Sequence, residues 1–336
     1  MTRFLTLLCV AVVAMLFANQ AQAQFNNLPA DTNVVPAQPK EVGEPGPTLK
    51  DPVTQQWKTG VIIRAIGGPC AGLSGTFPIP LDWPEQQVKL ADQQATPHFS
   101  RVSYRSTEDV LKQALFTIPL IQANDMARME LTFDVINYIQ VAPTETSGYV
   151  VPKSVPTAMR KFLGPSPYIE STNIKFKNLA KEATESRQTA WEQVEMLYDT
   201  VREKVKYERS PTGRFVGAIG AINNGQADRE DLNSAFVAAC RAMKVPARMV
   251  WIPDSCYAEF YLENEEGKGA WFPAKLEGDK QFGGLEDRKP ILQKGDNLRV
   301  PENKDAQRFV AEFLTGKGRA GGRPDVEFMR RLEGLP

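Results

Sequence analysis

The chain has 336 residues, with 40 Lys or Arg, 40 Asp or Glu and a single histidine, His98. A formal charge of zero offers no electrostatic basis for holding nucleic acid or an anionic membrane surface. One imidazole excludes any site built on two, such as a His-rich zinc centre, and no metal or cofactor motif stands elsewhere in the chain.

The first stretch, MTRFLTLLCVAVVAMLFANQAQAQ, has a basic flank at Arg3, an apolar run from Phe4 to Phe17 and a small-residue end at Ala21-Gln22-Ala23. It reads as an export signal over residues 1–23, cut after Ala23. The run is short for a membrane span, and no other run approaches the ~18 apolar residues a span requires. The mature protein is therefore expected outside the cytoplasm, in a periplasm, in a cell envelope or secreted. Residues 24–56 carry Pro29, Pro36, Pro39, Pro45, Pro47 and Pro52 without hydrophobic periodicity, and read as a disordered linker.

From Trp57 to Val151 the signals are for strands. Met129, Leu131, Phe133 and Val135 alternate with Glu130, Thr132 and Asp134, the pattern of a half-buried strand. Shorter β-rich pieces at Gly60–Ile66, Gln87–Ala91, Phe99–Tyr104 and Ala114–Ile118 complete an antiparallel β-sandwich over 57–151. The segment Phe77–Glu85 carries three prolines, and is expected as an edge or ordered loop with Trp83 pinned in a pocket. His98 lies in this half with no cysteine near it in sequence, and reads as a turn or surface histidine.

Beyond Val155 the period changes. Trp191, Val194, Tyr198, Val201 and Val205 predict a helix of roughly 15 to 18 residues. Leu232, Ala235, Phe236, Ala239 and Met243 predict a second, with Asp228 as N-cap after the turn Asn223-Asn224-Gly225. Strands follow at Ala247–Ile252, Cys256–Leu262 and Ala270–Phe272, and a last helix is expected near Asp305–Leu314. The remainder, 317–336, reads as a frayed tail rich in Gly and Arg.

Four segments, AWEQVEMLYDTVREKVKYE (190–208), GQADREDLNSAFVAACRAMKVPARMVWIP (225–253), SCYAEFYL (255–262) and AWFPAK (270–275), together resemble the transglutaminase-like core domain. This is the papain-like α+β fold shared by transglutaminases and related cysteine peptidases. Cys240-Arg241 and Val245-Pro246-Ala247-Arg248 are similar to that family's "cR..GiPAR" segment. The resemblance implies an α+β fold, with the sandwich followed by a transglutaminase-like domain over 152–316.

For activity the resemblance is negative. Its patterns put the nucleophilic cysteine at the start of the central helix, where Arg229 stands. They put the histidine four residues before Glu259, at Ser255, and the aspartate four after Trp271, at Lys275. Arginine has no lone pair to attack with, serine is no base near neutral pH, and lysine cannot orient an imidazole as a carboxylate does. Cys256, next to Ser255 on a strand, is expected to face away from the old cleft. Cys240 lies mid-helix, and both read as small core residues, with disulfide status left open.

The leading expectation is thus a pseudoenzyme whose former cleft, lined by Arg229, Ser255, Tyr257, Trp271 and Lys275, binds a protein, a peptide or an anionic glycan. Two cations brought together there would be neutralised by Asp228, Glu230, Asp231 or Glu259, or would hold a ligand carboxylate. The alternatives are an active transglutaminase-like amidase or peptidase with other residues, and an assembly role for the β-rich half.

Overall fold

A computed structural model describes residues 44–210 and 213–334. The export signal and residues 24–43 of the linker lie outside them. Six strands come first, β1 (Thr48–Ile66), β2 (Cys70–Ile79), β3 (Gln86–Ala95), β4 (Arg101–Thr107), β5 (Leu111–Ile121) and β6 (Met126–Val141). After a short 3-10 helix, Thr157–Phe162, come α1 (Ile174–Ser186), α2 (Ala190–Lys204), β7 (Lys206–Tyr207), α3 (Gly217–Asn224), β8 (Gln226–Ala227) and α4 (Arg229–Ala242). The chain ends in β9 (Ala247–Ile252), β10 (Ser255–Glu263), β11 (Gly269–Lys275), β12 (Gln281–Phe282), β13 (Gln293–Lys294), β14 (Phe313–Gly318) and β15 (Arg323–Glu333).

The fold is α+β with large antiparallel sheets. One sheet runs β15-β1-β6-β3; the other runs β12-β11-β10-β9-β13-β5-β2-β14, with β4 also on β5. In β6 the alternation read from sequence puts Met129, Leu131, Phe133 and Val135 in the core with Trp57, Ile63, Leu73, Phe77 and Phe116. These side chains fill the space between the two sheets, as a β-sandwich requires. A second core packs α1, α2 and α4 on β9–β11. The short β13 pairs with both β5 and β9, so one sheet continues from the sandwich into the helical part.

Several boundaries differ from expectation. The linker reading fails over 48–56: β1 begins at Thr48 and pairs with β6 from there, a bulge between Lys50 and Val53 absorbing Pro52. Phe77–Ile79 are not a loop but the end of β2, and they form an edge there, the first of the two forms expected. Pro78 is tolerated because β5 pairs with it on one side while the β14 ladder on the other stops at Thr76. No helix forms at 305–314. There the Gln293 amide donates to the Arg308 carbonyl and accepts from the Val310 N–H, holding the backbone extended, and β14 starts at Phe313. The tail is no frayed end either, because β15 pairs antiparallel with β1 from Gln56 to Ile66.

Candidate functional site

The start of α4 is fixed locally. Gly225 closes α3 in the left-handed region at φ 69°, and Asp228 caps α4 by accepting the Asp231 N–H at 3.1 Å. Asp231 accepts the N–H groups of Val216 and Gly217, tying the α3 start to α4. The β9–β10 turn, with Asp254 at φ 57°, lies over the same helix end.

Arg229 is the first residue of α4. Its Nη1 donates to the Asp254 carbonyl at 2.6 Å, and its Nε lies 2.9 Å from the Glu277 carboxylate. The Asn233 side chain donates to the Arg229 carbonyl at 2.9 Å and reaches Glu277 at 3.4 Å and the Cys256 sulfur at 3.9 Å. The residues gathered at the head of the helix are therefore Arg229, Asn233, Cys256 and Glu277.

This corrects the positions read from the family patterns. In β10, Cys256, Ala258 and Phe260 face the helices; in β11 and just beyond, Phe272, Ala274 and Leu276 do the same. Strand alternation sends Ser255, Tyr257, Trp271 and Lys275 to the other face. Tyr257 is fully buried there, and Trp271 stacks on Arg248, whose guanidinium carbon lies 3.9 Å from the ring centre. Lys275 pairs with Asp287 at 3.4 Å. The two cations do not meet, and their acids are Glu277 and Asp287 rather than Asp228, Glu230, Asp231 or Glu259. The expected carboxylate pocket between Arg229 and Lys275 is not formed. Cys256 faces the helix head instead of away from it.

The thiols at Cys70, Cys240 and Cys256 are free and buried. Burial pushes all three above the ordinary thiol range, and the carboxylates of Glu230 and Glu277 push Cys256 further. His98 is held in the sandwich, with Nδ1 at 3.1 Å from Thr96 Oγ1 and Nε2 at 3.0 Å from Asp125 Oδ2. Among the described residues no group of His, Cys, Asp and Glu is arranged to hold a metal ion, and no helix is long and apolar enough to cross a membrane.

Arg241, near the end of α4, has a structural task. It makes a bidentate pair with Asp296 at 2.8 Å, both side chains fully buried, and donates to the Ala247 and Gly164 carbonyls. On the far face of the sheet Glu259 accepts from Arg248 at 2.7 Å and Lys294 at 2.6 Å, and Lys294 also pairs with Glu85 from the sandwich. Burial opposes ionisation of Glu259, but Arg248 and Lys294 outweigh it and hold the carboxyl below its ordinary range.

Sequence reasoning missed a cavity of about 660 Å³ beside the head of α4. Trp57 and Leu332 line it from the sandwich, Glu230 from α4, Trp251 and Ser255 from β9 and β10, and Arg308 from the segment before β14. Ser255 is the one member of the expected cleft set that lines it. Arg308 is the centre of the polar wall. Its guanidinium donates to Ser234 Oγ at 3.0 Å, lies 3.5 Å from Asp231 and 3.7 Å from Glu230, and sits among the rings of Tyr168, Phe215 and Trp251. The signal in sequence was slight, a lone arginine between Gln307 and Phe309 whose own partners Ser234, Asp231 and Glu230 lie far along the chain.

The family model of the transglutaminase-like superfamily matches residues 177–276, which span α1 to β11. Among solved structures, a candidate cysteine protease from Cytophaga hutchinsonii superposes with a TM-score of 0.58 at 16% identity, over 86% of this chain and 92% of that one. The likeness therefore extends to the fold of the sandwich as well as the helical part. The periplasmic domain of TgpA from Pseudomonas aeruginosa is more distant, with a TM-score of 0.33 at 12% identity over 65% of this chain and 87% of that one. No curated protein matches the sequence.

Proposed function

We propose that this transglutaminase-like chain is an exported, catalytically inactive protein that uses the cavity beside α4 for binding. One observation carries the reading: an arginine, Arg229, opens the helix where the superfamily carries its thiol, and its guanidinium is already tied to Glu277 and Asp254. A thiol at a helix N-terminus is reactive because the helix dipole and an imidazole favour the thiolate. Here that position holds a cation without a nucleophilic electron pair. The cysteine that does face the helix head, Cys256, is buried, with its ionisation opposed by burial and by neighbouring carboxylates. Export rests on the leader at residues 1–23, and binding on the cavity that two parts of the fold enclose.

The test is transamidation and hydrolysis of glutamine-containing peptides by the purified mature protein, with and without an added primary amine, alongside an iodoacetamide-type probe at neutral pH. The expected result is no turnover and no labelling of the folded protein. Turnover abolished by Cys256→Ala would establish the opposite, an active cysteine enzyme.

A further inference from the structure

The strongest unassigned feature is the chemistry of the cavity wall. Two of its residues carry a buried N–H without an acceptor: the Trp57 indole Nε1 and the Arg308 Nε. A buried donor left unpaired forfeits its hydration with nothing in return, so two in one cavity favour a ligand that brings acceptor oxygens. The charged residues of the wall balance, with Arg308 and Arg330 against Glu230 and Asp254, so there is no net pull on an anion or a cation.

The remaining wall is aromatic. Trp57, Trp251 and Phe309 stand deep or beside Arg308, and Tyr168 and Phe215, both partly exposed, meet edge to face with ring centres 5.4 Å apart. Flat rings beside carboxylates, a guanidinium and an amide suit a molecule with an apolar C–H face and a rim of hydroxyl and carbonyl groups. A peptide that adds as a strand needs unpaired strand backbone, and at Trp251 and Trp57 the ladders are filled on both sides. Trp251 is laddered to Cys256 and Gln293, and Trp57 to Phe133 and Leu332.

We infer that the cavity between the sandwich and the head of α4 is a site for a neutral saccharide, stacked on the aromatic wall and hydrogen-bonded by Arg308, Glu230 and Trp57. The inference rests on the reading of this cavity as a binding site and names the class of ligand. The Glu230 carboxyl and the Ser255 hydroxyl give the rim both acceptors and donors. Arg308 is fixed by Ser234 and the α4 acids, so it meets a ligand already oriented.

The experiment is titration of the intact mature protein with a panel of neutral tetrasaccharides (cellotetraose, xylotetraose and fully N-acetylated chitotetraose), read by tryptophan fluorescence and calorimetry. An acidic oligogalacturonate and an uncharged tetrapeptide serve as comparisons. At least one neutral sugar should bind saturably and more tightly than either comparison. Tyr168→Ala, at an exposed position that leaves the core intact, should weaken it roughly tenfold. Trp57→Phe, which keeps one aromatic ring and removes the N–H, should weaken it several-fold, and Lys181→Ala on α1 should change nothing. The assignment is overturned by no binding at millimolar sugar, by tighter binding of the peptide or acidic sugar, or by affinity unmoved in both cavity variants. Acyl turnover with sugar binding intact sinks the inactive reading alone, whereas absent sugar binding without turnover sinks the ligand class alone.

Discussion

The guanidinium of Arg229 and the carboxylate of Glu277, 2.9 Å apart, occupy the head of α4. Glu277 is only 8% exposed on its side chain, while Arg229 keeps about a third of its surface in water, at 31%. Removing the arginine strands a nearly buried carboxylate. Arg229→Ala should cost about 2 kcal/mol, below the ~3–5 kcal/mol of a fully buried pair because one partner is solvated. Adding Glu277→Gln to that variant should return part of the loss. Urea denaturation of the two variants decides it: equal stability would mean that the pair does not carry the helix head.

The Glu85, Lys294 and Glu259 set links a loop of the sandwich to β13 and β10. All three side chains are at most 9% exposed, so Lys294→Ala leaves Glu259 with Arg248 as its cation and takes away the ion pair of Glu85. The expected loss is about 4 kcal/mol, and Glu85→Gln in the same background should recover stability by removing the stranded charge. If the thermal transition of Lys294→Ala stays within a degree or two of the parent, the network does not tie the two parts together.

Part of this was written in the sequence and part was not. The stripe Leu232, Ala235, Phe236, Ala239 and the cap Asp228 are local signals, and α4 forms where they point. The face on which a strand residue lies is not local. Pattern spacing put Ser255 and Lys275 beside Arg229, but a shift of one residue turns a side chain through the sheet, so Cys256 arrives in place of Ser255, while Glu277 arrives from beyond the end of β11. The C-terminal strand was hidden by its Gly- and Arg-rich composition, although Phe328 and Leu332 stand four apart and both pack on the sandwich core. The cavity was unreadable because Trp57, Glu230 and Arg308 come from three separate parts of the chain.

Glu259 also sets a pH dependence. Its folded carboxyl lies below the ordinary 4.5 because Arg248 and Lys294 outweigh burial. The stability from this ionisation is complete above the unfolded value near 4.5 and is lost as the pH falls through the lower folded value. Melting temperatures from pH 7 to pH 3 should drop on the acid side in the parent. Glu259→Gln should begin lower and show a shallower fall; parallel curves would show that other carboxylates govern acid unfolding.

The thiols give a kinetic prediction. Cys70, Cys240 and Cys256 are buried and their ionisation is suppressed, so a thiol-directed reagent at pH 7.5 should leave the native protein unmodified and label the three in denaturant. Native labelling should follow global opening, and Arg229→Ala should speed it in proportion to its lost stability. Rapid modification of Cys256 alone, at a rate rising with pH and unrelated to denaturant stability, would indicate local opening at the helix head.

The end of the chain is predicted to be essential. A stop after Ala311 removes β14 and β15, leaving β1 without its Gln56–Ile66 ladder and β2 without the partner of Cys70–Thr76. It also strips the sandwich core of Leu314, Phe328 and Leu332, and uncovers Trp57. A long hydrophobic strand with a free edge invites pairing with another chain. The truncated protein should therefore aggregate or elute as oligomers in size-exclusion chromatography, and protease should cut within β1 first. If it instead stays monomeric and melts like the full chain, the C-terminal strands are dispensable. Co-expressing residues 312–336 as a separate peptide should restore the monomer, because the missing contribution is a pair of strands with defined register rather than a covalent tether.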